Sequence, residues 1–261
     1  MPLNFEEFVS KAAKVINLDL TGYKIKRVQR RTDSLMRRHN INSYDECLGL
    51  MITDPNFKET YINHFTINTS EFFRNPKNYD YLRKKILPVL FHSQEQVNFW
   101  SAPCSNGSEP YTLAIILNEE DYSNTKYKIL ASDLDSSILS IAHKGIFGEN
   151  SLQSVDPDLL QKYFTLVSTE PERYQLSPEV MKKVSFEKKD LIKEPFRDNW
   201  DMIFCRNFFI YLTTEIKELL IKKFVSSLKS GGYFFVGNTE FIFTPEKYGL
   251  KKIHSSFYRK F

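Results

Sequence analysis

From residue 97 onward, short apolar segments alternate with helical ones. Segments of the first kind have the length and composition of buried strands; they are VNFWSA (97–102), YKILASD (127–133), KVSFEKKD (183–190), DMIFCRN (201–207) and YFFVGN (233–238). Helical segments at 109–120, 136–144 and 214–229 lie between several of them. Strands that alternate with helices are typical of a parallel sheet covered by helices, so the sequence predicts an α/β fold.

Two parts of the chain depart from this alternation. The first part shows helical periodicity and few strand signals, which predicts a small all-α domain over residues 1–76. The second part, about residues 146–184, consists of short segments punctuated by prolines. We interpret it as an insertion with a small hairpin inside a sheet domain that spans residues 77–261.

Composition and cysteine usage exclude several classes of protein. The hydrophobic fraction of 41%, with 22 Phe and 14 Tyr, indicates a sizeable core. The three cysteines are far apart and the five histidines form no HxxxH or HExxH pair, so we expect reduced thiols in a cytoplasm and no metal site. No run of 18 apolar residues and no secretory signal is visible, so we expect no insertion into a membrane.

The loop after the first predicted strand, residues 101–108, contains a single glycine, Gly107. In an open α/β sheet the ligand binds at the carboxyl ends of the strands. A pyrophosphate needs a row of backbone N–H groups at close approach, which glycine-rich loops provide. The low glycine count therefore favours a ligand with ribose and adenine but no phosphate, such as S-adenosylmethionine. The alternative is an ordinary strand-to-helix turn with an N-cap.

Acidic residues follow the strands at the places where such a ligand would need acceptors. Asp133 ends the second predicted strand, where an acid accepts hydrogen bonds from ribose hydroxyls. Asp190, with Leu191, lies just past the third strand and could accept from an adenine amino group. Glu109 at the end of the loop is available to the ammonium group of the cofactor.

Residues 23–38 are the most strongly basic segment of the chain. Seven basic residues face a single acid, Asp33. At 100° per residue the basic side chains span one broad face, and Ile25, Val28, Leu35 and Met36 fall on the other. We expect a helix that docks by its apolar stripe and presents positive charge outward.

Two further polar clusters, NTSEFFRNP (68–76) and CRNFFIYL (205–212), are hard to explain by packing alone, although each could be a loop with a capping Asn and buried Phe. Together with the segments above they resemble the CheR methyltransferases, which methylate glutamate side chains of chemotaxis receptors. The matching motifs are, in chain order, NTSEFFR (68–74), WSAPCSNGSEPYT (100–112), ASDLD (131–135), FCRNFFIYL (204–212) and GNTE (237–240).

The resemblance covers nearly the whole chain and implies a fold and a reaction. The implied fold is a Rossmann-like class I S-adenosylmethionine-dependent methyltransferase with an inserted small antiparallel β-subdomain, preceded by an all-α domain that recognises the receptor. The implied reaction converts S-adenosylmethionine to S-adenosylhomocysteine. The residues implied around the cofactor are Asn68, Ser70, Arg74, Glu109, Asp133, Asp190, Leu191, Arg206 and Asn207. Arg74 and Tyr211 are implied near the reacting centre.

The expected partner is the cytoplasmic helical region of a methyl-accepting chemotaxis receptor, bound by a cytoplasmic monomer. We expect the receptor to dock on the basic side chains Lys24, Arg27, Arg30, Arg31 and Arg38. Some CheR proteins hold a C-terminal receptor pentapeptide through a glycine-rich loop in the β-subdomain. The corresponding stretch here, residues 163–180, contains no glycine and has acids at its predicted turn, so we expect no such tether.

The cofactor loop departs from the family pattern at three positions. Pro103 stands for Gly, Asn106 for Thr, and Ser108 for the first of two Glu residues. These changes keep open a second interpretation, a cofactor-binding adaptor with weak or lost catalysis. A nucleic-acid methyltransferase is a third, but Asn207 is followed by Phe-Phe-Ile-Tyr and not by the prolines of a DPPY- or NPPY-like strand end, so we expect no nucleic-acid partner.

Overall fold

The computed structural model describes residues 2–16, 18, 20, 22–65, 70–93, 96–122 and 126–261. The chain forms two compact units. The helical unit comprises Met1–Asn68 and Tyr211–Glu218, and the sheet unit comprises Thr69–Ile210 and Leu219–Phe261. Within the described ranges, no helix is both long and apolar enough to cross a bilayer. The domain boundary at residue 76 stays a prediction.

The helical unit is built from α1 (Phe5–Ile16), α2 (Ile25–Arg38), α3 (Tyr44–Thr53) and α4 (Pro55–Phe65). Helix α3 begins where the Ser43 hydroxyl accepts the N–H of Glu46, which pairs one of the donors that a helix start leaves open. A hydrogen bond of 2.9 Å between the hydroxyls of Thr32 and Tyr61 links α2 to α4 inside the core. The predicted all-α N-terminal domain is confirmed.

The sheet unit contains a seven-stranded sheet in the order β6-β2-β1-β7-β8-β10-β9. Its strands are β1 (Gln96–Ser101), β2 (Lys126–Asp133), β6 (Val184–Lys188), β7 (Trp200–Cys205), β8 (Leu228–Val236), β9 (Leu250–His254) and β10 (Phe257–Lys260). Neighbours from β6 to β8 are parallel, and β10 is antiparallel to both β8 and β9. The predicted α/β sheet is confirmed, and the structure adds the β9–β10 hairpin that the sequence analysis did not identify.

Helices pack around this sheet, and its central strands are therefore buried. Every residue of β7 is buried, which is why the strand has no alternation of polar and apolar residues. The surrounding helices are α5 (Pro76–Tyr81), continued by a π-helical turn (Leu82–Ile86) and α6 (Leu87–Ser93), then α7 (Ser108–Glu119), α8 (Ser136–Lys144) and α11 (Thr214–Ser227). The chain order reverses between β1 and β7, so the crevice at their carboxyl ends is the expected ligand site.

The insertion between α8 and β6 forms a second, three-stranded antiparallel sheet in the order β3-β5-β4. It contains β3 (Ile146–Gly148), α9 (Pro157–Tyr163), β4 (Phe164–Thr169), β5 (Glu172–Leu176) and α10 (Pro178–Met181). The ring of Phe72 packs edge-on against Phe147 and Phe164, with centroids 4.8 and 5.1 Å away. The inserted β-subdomain is therefore confirmed, and a residue of the 68–76 cluster forms part of its base.

Candidate functional site

The single glycine of the cofactor loop, residues 101–108, allows close packing of the helices. Gly107 has φ +85°, and a Cβ there would lie 3.0 Å from both the Ala142 Cβ and a ring carbon of Tyr111. A larger residue would therefore push α7 away from α8 and would strain the backbone. Close packing of the two helices therefore explains why residue 107 is a glycine.

The two unusual polar residues of the cofactor loop hydrogen bond to each other. The Asn106 carbonyl oxygen accepts from the Ser108 N–H at 3.1 Å and from its hydroxyl at 2.8 Å. The N–H groups on either side of Pro103 are also paired, Ala102 with the Phe204 carbonyl and Cys104 with the Ser132 carbonyl. The departures from the family pattern are thus accommodated in a loop whose N–H groups on both sides of Pro103 are hydrogen bonded.

Asp133 fixes the same loop from the end of β2. Its carboxylate accepts the N–H of Ser105 at 2.8 Å and the N–H of Asp135 at 3.1 Å. Burial raises the pKa of Asp133 to about 6, and the backbone donors partly oppose that shift. Each carboxylate oxygen retains a second lone pair, so the group could accept ribose hydroxyls while it holds the loop.

Glu109 and Arg206 form a buried ion pair between the start of α7 and the end of β7. One Glu109 oxygen accepts from the Ser101 hydroxyl at 2.8 Å, and the other lies 3.3 Å from a terminal guanidinium nitrogen of Arg206. Burial raises the pKa of Glu109, whereas Arg206 and Ser101 favour its ionised form. The pair places one carboxylate and one cation beside the cofactor loop.

Arg206 also connects the 68–76 cluster to the sheet. Its guanidinium donates to the Arg74 carbonyl at 2.9 Å, to the Asn75 side chain at 2.8 Å and to the Tyr79 hydroxyl at 3.2 Å. It also lies over the ring of Phe235, 4.6 Å from the centroid. Arg74 itself is partly exposed, with its side chain 3.9 Å from the Glu71 carboxylate.

Two polar atoms of this region are buried and, among the described residues, have no hydrogen-bond partner: the Arg206 Nε and the Ser105 Oγ. Buried donors without a partner are uncommon, and at a crevice they point to a ligand that completes the bonding. An amino-acid carboxylate would suit Arg206 and a ribose hydroxyl would suit Ser105. The residues present therefore fit S-adenosylmethionine.

Asn207 is held by an acid that the sequence analysis quoted in the GNTE motif but gave no role. Glu240 accepts the N–H groups of Asn207 at 2.7 Å, Gly237 at 2.8 Å and Ile210 at 3.3 Å. These bonds stabilise the positive φ of 58° at Asn207 and tie the loop after β7 to the end of β8. The only feature of the sequence that pointed to this role of Glu240 was its position just past a predicted strand.

Comparison with protein families gives the same assignment along the chain. A model described as the all-alpha domain of CheR methyltransferase matches residues 3–66, and one described as its SAM binding domain matches residues 68–258. The chain belongs to the CheR methyltransferase family. It is accordingly an S-adenosylmethionine-dependent methyltransferase with the Rossmann-like class I fold that the motifs predicted.

Curated relatives match over most of their own length. A chemotaxis protein methyltransferase of Listeria innocua is 34% identical, with 97% of this chain and 95% of that protein covered. The protein of the same name from Borreliella burgdorferi is 31% identical over 90% and 88% of the two chains. Chemotaxis protein methyltransferase 1 of Pseudomonas aeruginosa is 29% identical over 91% and 89%.

The residues predicted to contact adenine in this CheR chain lie in the loop after β6. The Asp190 carboxylate accepts the N–H groups of Ile192 at 2.9 Å and Lys193 at 3.1 Å. Leu191 is buried, and its carbonyl accepts from the Lys223 ammonium at 2.8 Å. Asp190 thus stabilises a turn, and its role toward adenine stays a prediction.

Three other predicted residues are less closely connected to this cluster. Tyr211 belongs to the helical unit, where its ring lies 5.2 Å from the Arg27 guanidinium and its carbonyl accepts the Lys24 N–H. Ser70 contributes its carbonyl, 3.5 Å from the Asn106 amide nitrogen. Asn68 lies outside the described residues. The catalytic roles of Arg74 and Tyr211 stay predictions.

The basic helix α2 differs in part from its predicted pattern. Val28, Leu35 and Met36 are buried as expected, but Ile25 is 44% exposed because it lies in the first turn, at the end of the packed stripe. Arg31 does not point outward: it is half-buried and donates to the His64 carbonyl on α4. Burial lowers its pKa. Lys24, Arg30 and Arg38 are exposed.

The cysteines near the site are unsuited to nucleophilic chemistry. Cys104 and Cys205 are buried, and burial raises the pKa of both thiols well above the ordinary value. Among the described residues, no group of three or more His, Cys, Asp or Glu side chains is arranged to hold a metal ion. The chemical resources of the site are therefore carboxylates, a buried guanidinium and backbone donors.

Proposed function

We propose that this CheR methyltransferase transfers the methyl group of S-adenosylmethionine to glutamate side chains in the cytoplasmic helical region of a chemoreceptor. The observation that carries the proposal is the convergence of Glu109, Arg206 and Asp133 on one loop, in a chain that matches CheR models from residue 3 to residue 258. The printed names of the curated relatives, chemotaxis protein methyltransferases, support the same substrate class.

The cofactor would be held by groups from four strand ends. Asp133 would accept from the ribose, and Asp190 with Leu191 would contact the adenine. Arg206 and Glu109 would bind the carboxylate and ammonium of the amino-acid end, with Asn68, Ser70, Arg74 and Asn207 around them. When bound, S-adenosylmethionine supplies a methyl group activated by a positively charged sulfur.

The transfer places modest demands on the side chains. A glutamate with a pKa of about 4.3 is ionised at neutral pH, so no general base is required. The site has to align the carboxylate and exclude water. We propose that Arg74 and Tyr211 orient the incoming carboxylate; Tyr211→Phe then lowers turnover more than it lowers cofactor affinity.

The receptor would approach the exposed charges of α2, and it would do so without a pentapeptide tether. The turn between β4 and β5 is formed at Glu170–Pro171, and the Glu172 carboxylate that follows accepts from the Tyr174 hydroxyl at 2.9 Å. Acids at that turn disfavour a peptide carboxylate. Titration with a receptor C-terminal pentapeptide should give no saturable binding at low micromolar concentration.

One experiment separates this function from its alternatives. Calorimetric titration with S-adenosylhomocysteine should show one site per chain. In a second assay, labelled S-adenosylmethionine should transfer its methyl group to a receptor fragment and not to RNA. Binding of S-adenosylhomocysteine without transfer to any receptor would favour the adaptor. Transfer to RNA would favour the nucleic-acid enzyme.

A further inference from the structure

The segment that follows β8 exposes two phenylalanine rings. Phe241 is 48% exposed and Phe243 is 80% exposed, whereas Ile242 between them is buried. Large apolar side chains that are exposed close together in the chain can mark an interaction surface. We refer to residues 241–243 as the aromatic segment.

The aromatic segment is anchored on both sides of its first ring. Glu240, immediately before it, is buried and accepts three backbone N–H groups. The Ile242 N–H donates to the Tyr258 hydroxyl at 3.2 Å, and the Ile242 side chain is packed inside. Because the anchors alternate with the rings, the backbone directs both phenylalanines outward.

The aromatic segment lies at the same edge of the sheet as the candidate cofactor site. Val236, the last residue of β8, pairs in parallel with Cys205, which precedes Arg206. Glu240 then binds the N–H of Asn207, one residue past Arg206. The exposed rings therefore begin one residue after the acid that holds the cofactor-side loop.

Exposed lysines accompany the two rings. The Lys252 ammonium lies 5.4 Å from the Phe241 centroid, and Lys247, four residues after Phe243, is exposed beside one exposed acid, Glu246. A surface that combines aromatic rings with lysines suits an amphipathic partner that carries acids beside apolar side chains. A helix with methyl-accepting glutamates has that chemistry.

We infer that Phe241 and Phe243 dock the apolar side of the glutamate-bearing helix of the protein substrate, next to the site where its carboxylate reacts. This inference rests on the proposed function, because that function supplies the helical, acidic substrate. The rings contact substrate and leave the cofactor untouched, so they act on substrate affinity.

The test compares Phe241→Ala/Phe243→Ala with Phe261→Ala, a control that removes a ring 71% exposed at the end of the chain. Initial rates are measured against the concentration of a receptor cytoplasmic fragment. The double variant should raise KM on the order of tenfold or more with little change in kcat, since two apolar contacts are lost. The affinity for S-adenosylhomocysteine and the melting temperature should not change, and the control should stay within about twofold of the unmodified protein.

An unchanged KM in the double variant would overturn the inference. So would a dimer of the unmodified protein that the double variant dissociates without any change in KM, because the rings would then join two copies of this chain. Direct binding of the fragment, measured without cofactor, distinguishes the two proposals. If the unmodified protein binds the fragment but does not methylate it, the proposed methyl transfer is wrong, and the fragment affinity of the double variant still tests the docking. If the unmodified protein neither binds nor methylates the fragment, both proposals are wrong.

Discussion

The Glu109 carboxylate lies 3.3 Å from the Arg206 guanidinium, and both side chains are almost completely buried. The pair joins the first turn of α7 to the residue after β7, on the two sides of the crevice where the chain order reverses. Removing one partner of a buried pair leaves an uncompensated charge, which commonly costs about 3–5 kcal/mol.

Glu109→Ala should therefore lower the free energy of unfolding by about 3 kcal/mol, and Glu109→Gln by less because it retains a hydrogen-bond acceptor. Both should weaken S-adenosylhomocysteine binding. Urea unfolding of Glu109→Ala, Arg206→Met and the double variant measures the coupling between the two residues. A coupling energy below about 0.5 kcal/mol would mean that the pair does not stabilise the site.

Asp133 should make cofactor affinity depend on pH. Its pKa is about 6, and the ionised form is the better acceptor for ribose hydroxyls. The dissociation constant of S-adenosylhomocysteine should rise below pH 6, by up to about tenfold per pH unit, and should be constant above pH 7. Calorimetry across this range checks it, with Asp133→Asn as the variant in which the dependence should disappear.

Asp133 should also make the free energy of unfolding depend on pH, but its contribution to stability should fall as pH rises, whereas cofactor affinity should improve. Because the pKa is raised from 3.8 to about 6 on folding, the folded chain binds the proton more tightly. The contribution is fully present below pH 3.8 and is lost as pH rises through 6. The free energy of unfolding relative to Asp133→Asn should fall by roughly 3 kcal/mol over that range, and a difference that rises with pH would contradict the assigned shift.

Glu240→Gln tests whether the acid after β8 positions Asn207. An amide has one acceptor oxygen and would turn its NH2 toward a backbone donor, so at least one of the three bonds is lost, at about 1–3 kcal/mol. We expect lower stability and weaker S-adenosylhomocysteine binding. Glu246→Gln, which changes an exposed acid six residues further along the chain, is the matched control and should leave stability and binding unchanged.

The exposed charges of α2 can be tested apart from its structural ones. Arg30→Ala/Arg38→Ala removes two exposed charges and should raise the KM for receptor roughly threefold to tenfold at low salt, with the difference shrinking as salt is added. Lys11→Ala/Lys14→Ala removes two exposed charges of α1 and should have little effect. Arg31→Ala should instead lower stability, since Arg31 binds the His64 carbonyl. Equal KM values for the two double variants would argue against α2 as the docking surface.

The parts of the fold that the sequence predicted are those in which burial determines the pattern. Central parallel strands are covered on both faces, so β7 is a mostly apolar, fully buried run, and the carboxyl-terminal ends of β1 and β2 are buried as well. The β9–β10 hairpin was missed because its strands, LKKIH and FYRK, are half-exposed and carry charges. Strand β3 has only three residues, too few for a periodic signal.

The site was predicted less completely than the fold. Asp133, Glu109 and Arg206 could be identified because each stands at a strand end or a loop end. The role of Glu240 depends on N–H groups that converge only in the folded chain, together with a positive φ at Asn207. Arg31 was expected to face outward because a helical wheel shows one broad basic face. The wheel does not show which edge of that face contacts α4, and Arg31 lies at that edge.

The most direct test of the central claim is the chemistry of the transferred methyl group. With labelled S-adenosylmethionine and a receptor cytoplasmic fragment, the account predicts label on glutamate as a methyl ester, which mild alkali releases as methanol. The label should disappear when the methylated glutamates are changed to alanine. Alkali-stable label, or no label on a fragment that the folded, S-adenosylhomocysteine-binding protein is shown to bind, would contradict it.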